Sequence, residues 1–140
     1  MNVAQIRDEF GQWLRCGAGV DDTVADDVIL AVNEALANAA EFAYIQGAAG
    51  TVDIEAIRDV IRGTLTVTVS DRGRWRESDP LQRRRSRGRG IPLMRILADS
   101  VIIDTTGPGT RVRLCFADIA PRVRDWGVPN RPTVMLPIIS

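Results

Sequence analysis

Leu30-Ala-Val-Asn-Glu-Ala-Leu-Ala-Asn-Ala-Ala-Glu-Phe-Ala-Tyr44 is the most informative run of the chain. Together with Val24, Val28, Ile29, Val32, Leu36 and Ala40 it follows helical spacing. Asp21 or Asp22 can cap this helix, and Gly47 and Gly50 close it. Glu34 and Asn38 are four apart, so they share one face of a helix otherwise built from Ala, Val and Leu. Alanines allow close approach of a ligand to the backbone. A carboxylate beside an amide can hold a hydrated divalent metal and take a proton from a hydroxyl. Taken alone, such a stripe is more often the solvated flank of an amphipathic helix.

Upstream, Val3, Ile6, Phe10, Trp13 and Leu14 predict a first helix that stops at Gly17–Gly19. Downstream, residues 51–57 alternate as a strand, although Ile54, Ile57 and Ile61 also suit a helix. Residues 64–70 read as a half-buried strand, with Leu65, Val67 and Val69 facing one way. Residues 72–90 are Arg-rich and poor in apolar anchors, which predicts an exposed, mobile loop. A short helix over 91–100 follows, entered through Pro92. Strands over 101–105 and 111–116 are joined by a Thr-Gly-Pro-Gly-Thr hairpin connection. With no crossover helix between these last strands, the expectation is an α+β fold. It is a two-layer sandwich whose mixed, mostly antiparallel sheet carries helices on one face. Residues 1–116 form this domain, and 117–140 are a C-terminal extension, either a closing strand or a linker to a following domain.

Composition narrows the chemistry. The 140 residues are 45% hydrophobic and 26% charged, enough for one domain with a real core. No apolar run reaches the roughly twenty residues of a membrane span, and Asp8 and Glu9 stand where a secretory signal needs its apolar segment. Two cysteines exclude a disulfide scaffold and suit a cytoplasmic protein. There is no histidine, and all 18 basic residues are arginine. Imidazole bases, P-loop lysines, Schiff-base lysines and Ser–Lys hydrolases are thereby excluded. Acid–base work falls to carboxylates, and phosphate contacts fall to arginines and backbone amides. Formal charge sums to zero but is uneven. Residues 1–60 hold eleven acids against Arg7, Arg15 and Arg58, whereas 72–95 hold nine arginines against Glu77 and Asp79. That basic segment suits an anionic ligand or acidic partner, although charge alone favours a solvated, flexible loop.

Three further motifs follow in order. Asp71-Arg72-Gly73 ends a strand, where a carboxylate can accept a hydrogen bond from an exocyclic amine and glycine lets a planar ring pass. Arg87-Gly88-Arg89-Gly90 opens into a helix, so free N–H groups and arginines can cradle phosphate. Gly109-Thr110 leads into the last strand of residues 1–116, placing a hydroxyl within reach of a nucleotide. Each motif alone is commonplace: a turn, a joint and a hairpin. In this order, Glu-x-x-x-Asn, strand–Asp-x-Gly, Gly-x-Gly–helix and Gly-Thr–strand resemble the N, G1, G2 and G3 boxes of the GHKL ATPase superfamily, with its Bergerat ATP-binding fold. Leu-Ala-Val-Asn-Glu-Ala-Leu-Ala-Asn-Ala, Asp-Arg-Gly-Arg-Trp and Arg-Gly-Arg-Gly-Ile-Pro-Leu-Met are similar to the anti-sigma factor serine/threonine kinases. Those kinases regulate bacterial stress-response and sporulation sigma factors by partner switching.

The resemblance covers about residues 3–116 and implies roles. Glu34 is the general base for a Ser/Thr hydroxyl, and Asn38 binds the Mg²⁺ that bridges the ATP phosphates. Asp71 reads the adenine amino group, with Gly73 giving it room. Gly88, Arg89 and Gly90 close over the phosphates, and Thr110 contacts the nucleotide. Arg85, Arg87 or Arg89 neutralises the γ-phosphate, and the sequence does not choose among them. The implied partners are a sigma factor, an anti-sigma antagonist of STAS type and a second copy of the chain. Neither membrane nor direct nucleic-acid binding is expected, since a net charge of zero and few aromatics argue against the latter. Phe42 stands where the family often has His, and Trp75 where it often has a second glycine. The family's usual opening strand also does not precede the first helix, as in a domain taken from a longer protein. The first two departures motivate an alternative, a degenerate nucleotide-binding module that acts only through its partners.

Overall fold

A computed structural model describes residues 3–45, 52–71, 90–105, 109–120 and 133–139. Helix α1 (Val3–Cys16) and the long helix α2 (Asp22–Ile45) precede strands β1 (Val52–Asp59) and β2 (Thr64–Asp71). Helix α3 (Gly90–Leu97), β3 (Ser100–Asp104), β4 (Thr110–Phe116) and β5 (Thr133–Ile139) complete the order. Of the two aspartates able to cap α2, Asp21 does so: its Oδ1 accepts the Thr23 N–H at 3.2 Å and its carbonyl accepts the Ala25 N–H. Residues 52–59 are a strand, so the helical alternative for Ile54–Ile61 is not adopted. The 91–100 helix ends earlier than its sequence suggests, because Ser100 is already paired with Cys115.

The five strands form one sheet in the order β3-β4-β2-β1-β5, with every ladder antiparallel. Register builds a single apolar face. Ile54 and Ala56 lie opposite Val69 and Val67, which lie opposite Val112 and Leu114, and Ile103 and Val101 continue the rows on β3. Period-two alternation turns the Thr and Ser residues of β2 to the other face. The helices lie on the apolar face. α2 packs on β1, β2 and β4 with α1 and α3 on its flanks, and α1 also reaches β5. Ile6, Phe10 and Leu14 of α1, Val28, Val32 and Leu36 of α2, and Met94 of α3 are buried between the layers. The fold is the expected α+β arrangement. β5 adds an edge strand beyond β1, with a register shift between Ile54 and Ala56. Pro137 lies in that edge strand, where a missing N–H is tolerated.

Two inward positions of the β1–β2 pair are charged, Asp71 at one end and Arg58 towards the other. Arg58, opposite Leu65, is wholly buried. Its Nε donates to the Ala18 carbonyl at 3.3 Å, Nη1 to the Asp59 and Thr64 carbonyls at 3.1 and 3.2 Å, and Nη2 to the Ile119 carbonyl at 3.2 Å. The guanidinium therefore joins the α1–α2 turn, the β1–β2 hairpin and the segment leaving β4. Gly63 lets the last two meet. It sits at φ +67°, its carbonyl accepts the Ile119 N–H at 2.9 Å, and a Cβ there would stand 3.0 Å from the Ile119 oxygen. Arg58→Met retains an apolar stem but strips these carbonyls of their donor. It should lower unfolding free energy by about 3 kcal/mol or more, read as a lower urea midpoint with an unchanged slope. Arg58→Lys should recover only part, because an ammonium cannot span the fork.

Candidate functional site

The site is built from one end of the inner sheet face and one flank of α2. Asp71 is the last residue of β2, with Val52 of β1 on one side and Thr110 of β4 on the other, both in register. Asp71 is 4% exposed and Val52 6%, while Thr110 is half-buried. A carboxylate held between an apolar side chain and a hydroxyl suits a flat ring carrying an exocyclic amine. Gly109, immediately before Thr110, has φ +92°, a conformation that glycine alone adopts without strain. Gly109 is thus required by the backbone, apart from any contact Thr110 makes.

The helix half of the site follows from geometry. Gly11 of α1 faces Ile29 of α2, since a Cβ at Gly11 would meet Ile29 Cδ1 at 3.9 Å. At ~100° per residue, Glu34 and Asn38 lie about 140° and 180° around α2 from Ile29. They therefore occupy the flank away from α1, on the side where α3 packs. Both are half-buried. α2 crosses β2 and β4, the strands that carry Asp71 and Thr110, and Gly90 begins the helix beside it. Gly73, Gly88 and Arg89, with Arg85, Arg87 and the predicted 72–89 part of the loop, lie outside the described residues.

A family model for the histidine kinase-like ATPase domain matches residues 1–116. The chain belongs to the histidine kinase-like ATPase family. It is an ATP-binding module of the GHKL type, with kinase or ATPase chemistry as its general class. Among solved structures, the histidine kinase domain of the blue-light activated histidine kinase of Erythrobacter litoralis EL346 is similar in fold. Its TM-score is 0.54 at 24% identity, over 82% of this chain and 58% of that one. This histidine kinase-like ATPase domain thus spans little more than half of that structure. No curated protein matches the sequence.

The residues present fit a nucleotide with its metal. Among the described residues, no three His, Cys, Asp or Glu side chains gather as a metal cage. Mg²⁺ needs no such cage, since it is commonly held by one or two protein groups together with substrate phosphates and water. Asn38 could be such a ligand. Among the described residues, no helix is long and apolar enough to cross a membrane.

Val52 escapes a reading of motifs, because an apolar residue at a strand start has no chemical signature. Its place follows only from hairpin register: Asp59 opposite Thr64 carries the pairing up to Val52 opposite Asp71. If Asp71 reads the adenine amine, Asp71→Asn removes the acceptor at constant shape. Saturating ATP should stabilise the parent protein by about 2–3 kcal/mol, and Asp71→Asn should lose most of that melting-temperature shift. An unchanged shift would leave Asp71 as a strand-end residue only.

Proposed function

We propose that this domain is a Mg²⁺- and ATP-dependent protein kinase acting on a serine or threonine of a partner protein. The observation that carries the reading is the pairing of Glu34 and Asn38 on the α3-facing flank of α2. That helix crosses the two strands holding Asp71 and Thr110. Asp71 accepts the hydrogen bond that selects adenine, and Val52 gives the ring an apolar edge. Thr110 contacts the nucleotide from the sheet, and the N–H groups at the start of α3 face the phosphates. Asn38 ligates the metal. When bound, ATP supplies the phosphoryl group that is transferred.

Glu34 holds the remaining role. Its carboxylate would take the proton from the acceptor hydroxyl as that oxygen bonds to the γ-phosphorus and the bond to the bridging oxygen breaks, with ADP leaving. The reaction needs positioning, charge neutralisation and one base, and these residues supply the positioning and the base. Arg85, Arg87 and Arg89 are the candidates for neutralising the γ-phosphate. Gly73 gives the adenine room, and Gly88 with Gly90 lets the loop backbone approach the phosphates.

The acceptor in this proposal is a STAS-type anti-sigma antagonist. A sigma factor is the alternate partner that the domain sequesters, and a homodimer is the working assembly. The stretches Leu30–Ala39, Asp71–Trp75 and Arg87–Met94, similar to the anti-sigma factor kinases, support this over a phosphorelay kinase.

Glu34→Gln keeps shape and hydrogen bonding but cannot accept the proton at neutral pH. Phosphotransfer from radiolabelled ATP to a STAS-domain acceptor should fall roughly a hundredfold or more, with ATP affinity nearly unchanged. Asn38→Ala should instead weaken Mg²⁺–ATP binding itself, measured by titration with and without the metal. A Glu34→Gln protein transferring phosphate at the parental rate would demote Glu34 to a structural helix residue. Nucleotide binding with no transfer by the parent would favour a module that acts by partner binding alone.

A further inference from the structure

Two large or charged side chains of α2, Asp27 and Leu30, are exposed and lie outside the packed core. Asp27 is exposed and makes no ion pair among the described residues, whereas its neighbour Asp26 is held by Arg15 at 2.7 Å. Helix capping does not account for it. Asp21 caps α2 and Asp22 supplies the acid of its first turn, so Asp27 lies beyond the reach of the helix-end field. Leu30 is 45% exposed in the middle of a helix whose other large apolar residues are mostly buried or packed on the core.

Their spacing gives them a common meaning. Asp27, Leu30 and Glu34 are separated by three and then four residues, so they form one continuous strip on the helix surface. Along the axis the order is Asp27, Leu30, Glu34, Asn38. The metal ligand stands at one end with the base next to it. An acceptor hydroxyl must reach Glu34 from the side away from the metal, which is the side occupied by Leu30 and Asp27. Resting on the kinase reading above, we propose that Asp27 and Leu30 are the docking track for the phosphoacceptor segment of the protein substrate.

The track specifies its occupant. Leu30 takes an apolar side chain, and the carboxylate of Asp27 takes an arginine or lysine. Seven helical residues at ~1.5 Å each put Asp27 about 10 Å from Glu34. An extended segment advancing ~3.3 Å per residue covers that distance in about three positions. The substrate therefore carries its basic residue about three positions from the phosphorylated hydroxyl. Charge complementarity favours this over a second copy of the chain laid helix on helix, which would set Asp27 near the acidic residues of its own kind.

The test uses the full chain with Mg²⁺ and a non-hydrolysable ATP analogue. Fluorescein-labelled peptides carry a central serine, a leucine beside it, and Arg, Ala or Glu three residues to either side. Binding is read by anisotropy, and phosphate transfer from ATP is followed in parallel. The arginine peptide should bind about two- to fivefold tighter than the alanine peptide, the range of an exposed ion pair. Asp27→Arg should reverse the preference toward the glutamate peptide while leaving the ATP-induced melting shift intact. Leu30→Ala should weaken all peptides alike. A preference that is absent, or identical in the parent and Asp27→Arg, overturns the track. Phosphate transfer indifferent to Asp27 keeps the kinase reading and removes the track. Charge-switched docking without transfer supports the track and removes the kinase reading. If neither docking nor transfer occurs, both fall.

Discussion

The buried guanidinium of Arg58 is the constraint on which the rest of this structure leans. A fully desolvated cation is costly, and it persists here because backbone carbonyls from separate parts of the chain accept its protons. The α1–α2 turn, the β1–β2 hairpin and the exit of β4 cannot be repositioned independently while that fan of bonds is intact. Asp71 and Thr110 stand at the opposite end of the same ladders. Leu65 opposite Phe116 at one end entails Asp71 opposite Thr110 at the other, because an antiparallel register has no slack between them. The pin and the site thus lie towards opposite ends of the same three strands, β1, β2 and β4.

This arrangement separates the parts that hold the site from the parts that touch a ligand. In the proposed function the sheet end would supply recognition from groups fixed by register, and the α2 flank chemistry from groups fixed by helical pitch. Both sets are on regular elements packed into the core, where side-chain positions are more reproducible than on loops. The half-burial of Glu34 and Asn38 is consistent with a base and ligand that remain reachable. A fully buried pair would have been closed to substrate.

Much of this was legible in the residues. Alternation over 64–70 placed Leu65, Val67 and Val69 inward, and the apolar period of α2 fixed which flank holds Glu34 and Asn38. The order of the motifs, rather than any one of them, pointed to the GHKL family to which the chain belongs. What escaped the sequence is instructive. Arg58 counts as a surface charge in any composition reading, since nothing local shows that carbonyls from Ala18 and Ile119 converge on it. Residues 51–61 left helix and strand both open, because isoleucines spaced by three and four satisfy one period while alternation satisfies the other. Strand pairing on both sides of β1 decided the matter. The end of α3 was misjudged by a few residues for a similar reason: Ser100 gains more from its ladder to β4 than from another helical turn.

The last strand of the sheet has a consequence for how the protein is made. β1 is bordered on one side by β2, its hairpin neighbour, and on the other by β5, with Asp59 paired to Thr133 far along the chain. On a ribosome, β1 and β2 emerge and zip early, but the outer hydrogen-bonding edge of β1 waits for the last residues described. During that interval the nascent domain presents an open, β-branched strand edge of the kind that captures other chains. Closing it is a contact of high sequence separation, the sort that sets the pace of folding. Buried Arg58 lies in that same strand and lacks the Ile119 carbonyl until β4 has emerged. Until then water completes the guanidinium's hydrogen bonds, so the pin closes only after the hairpin it fastens has formed.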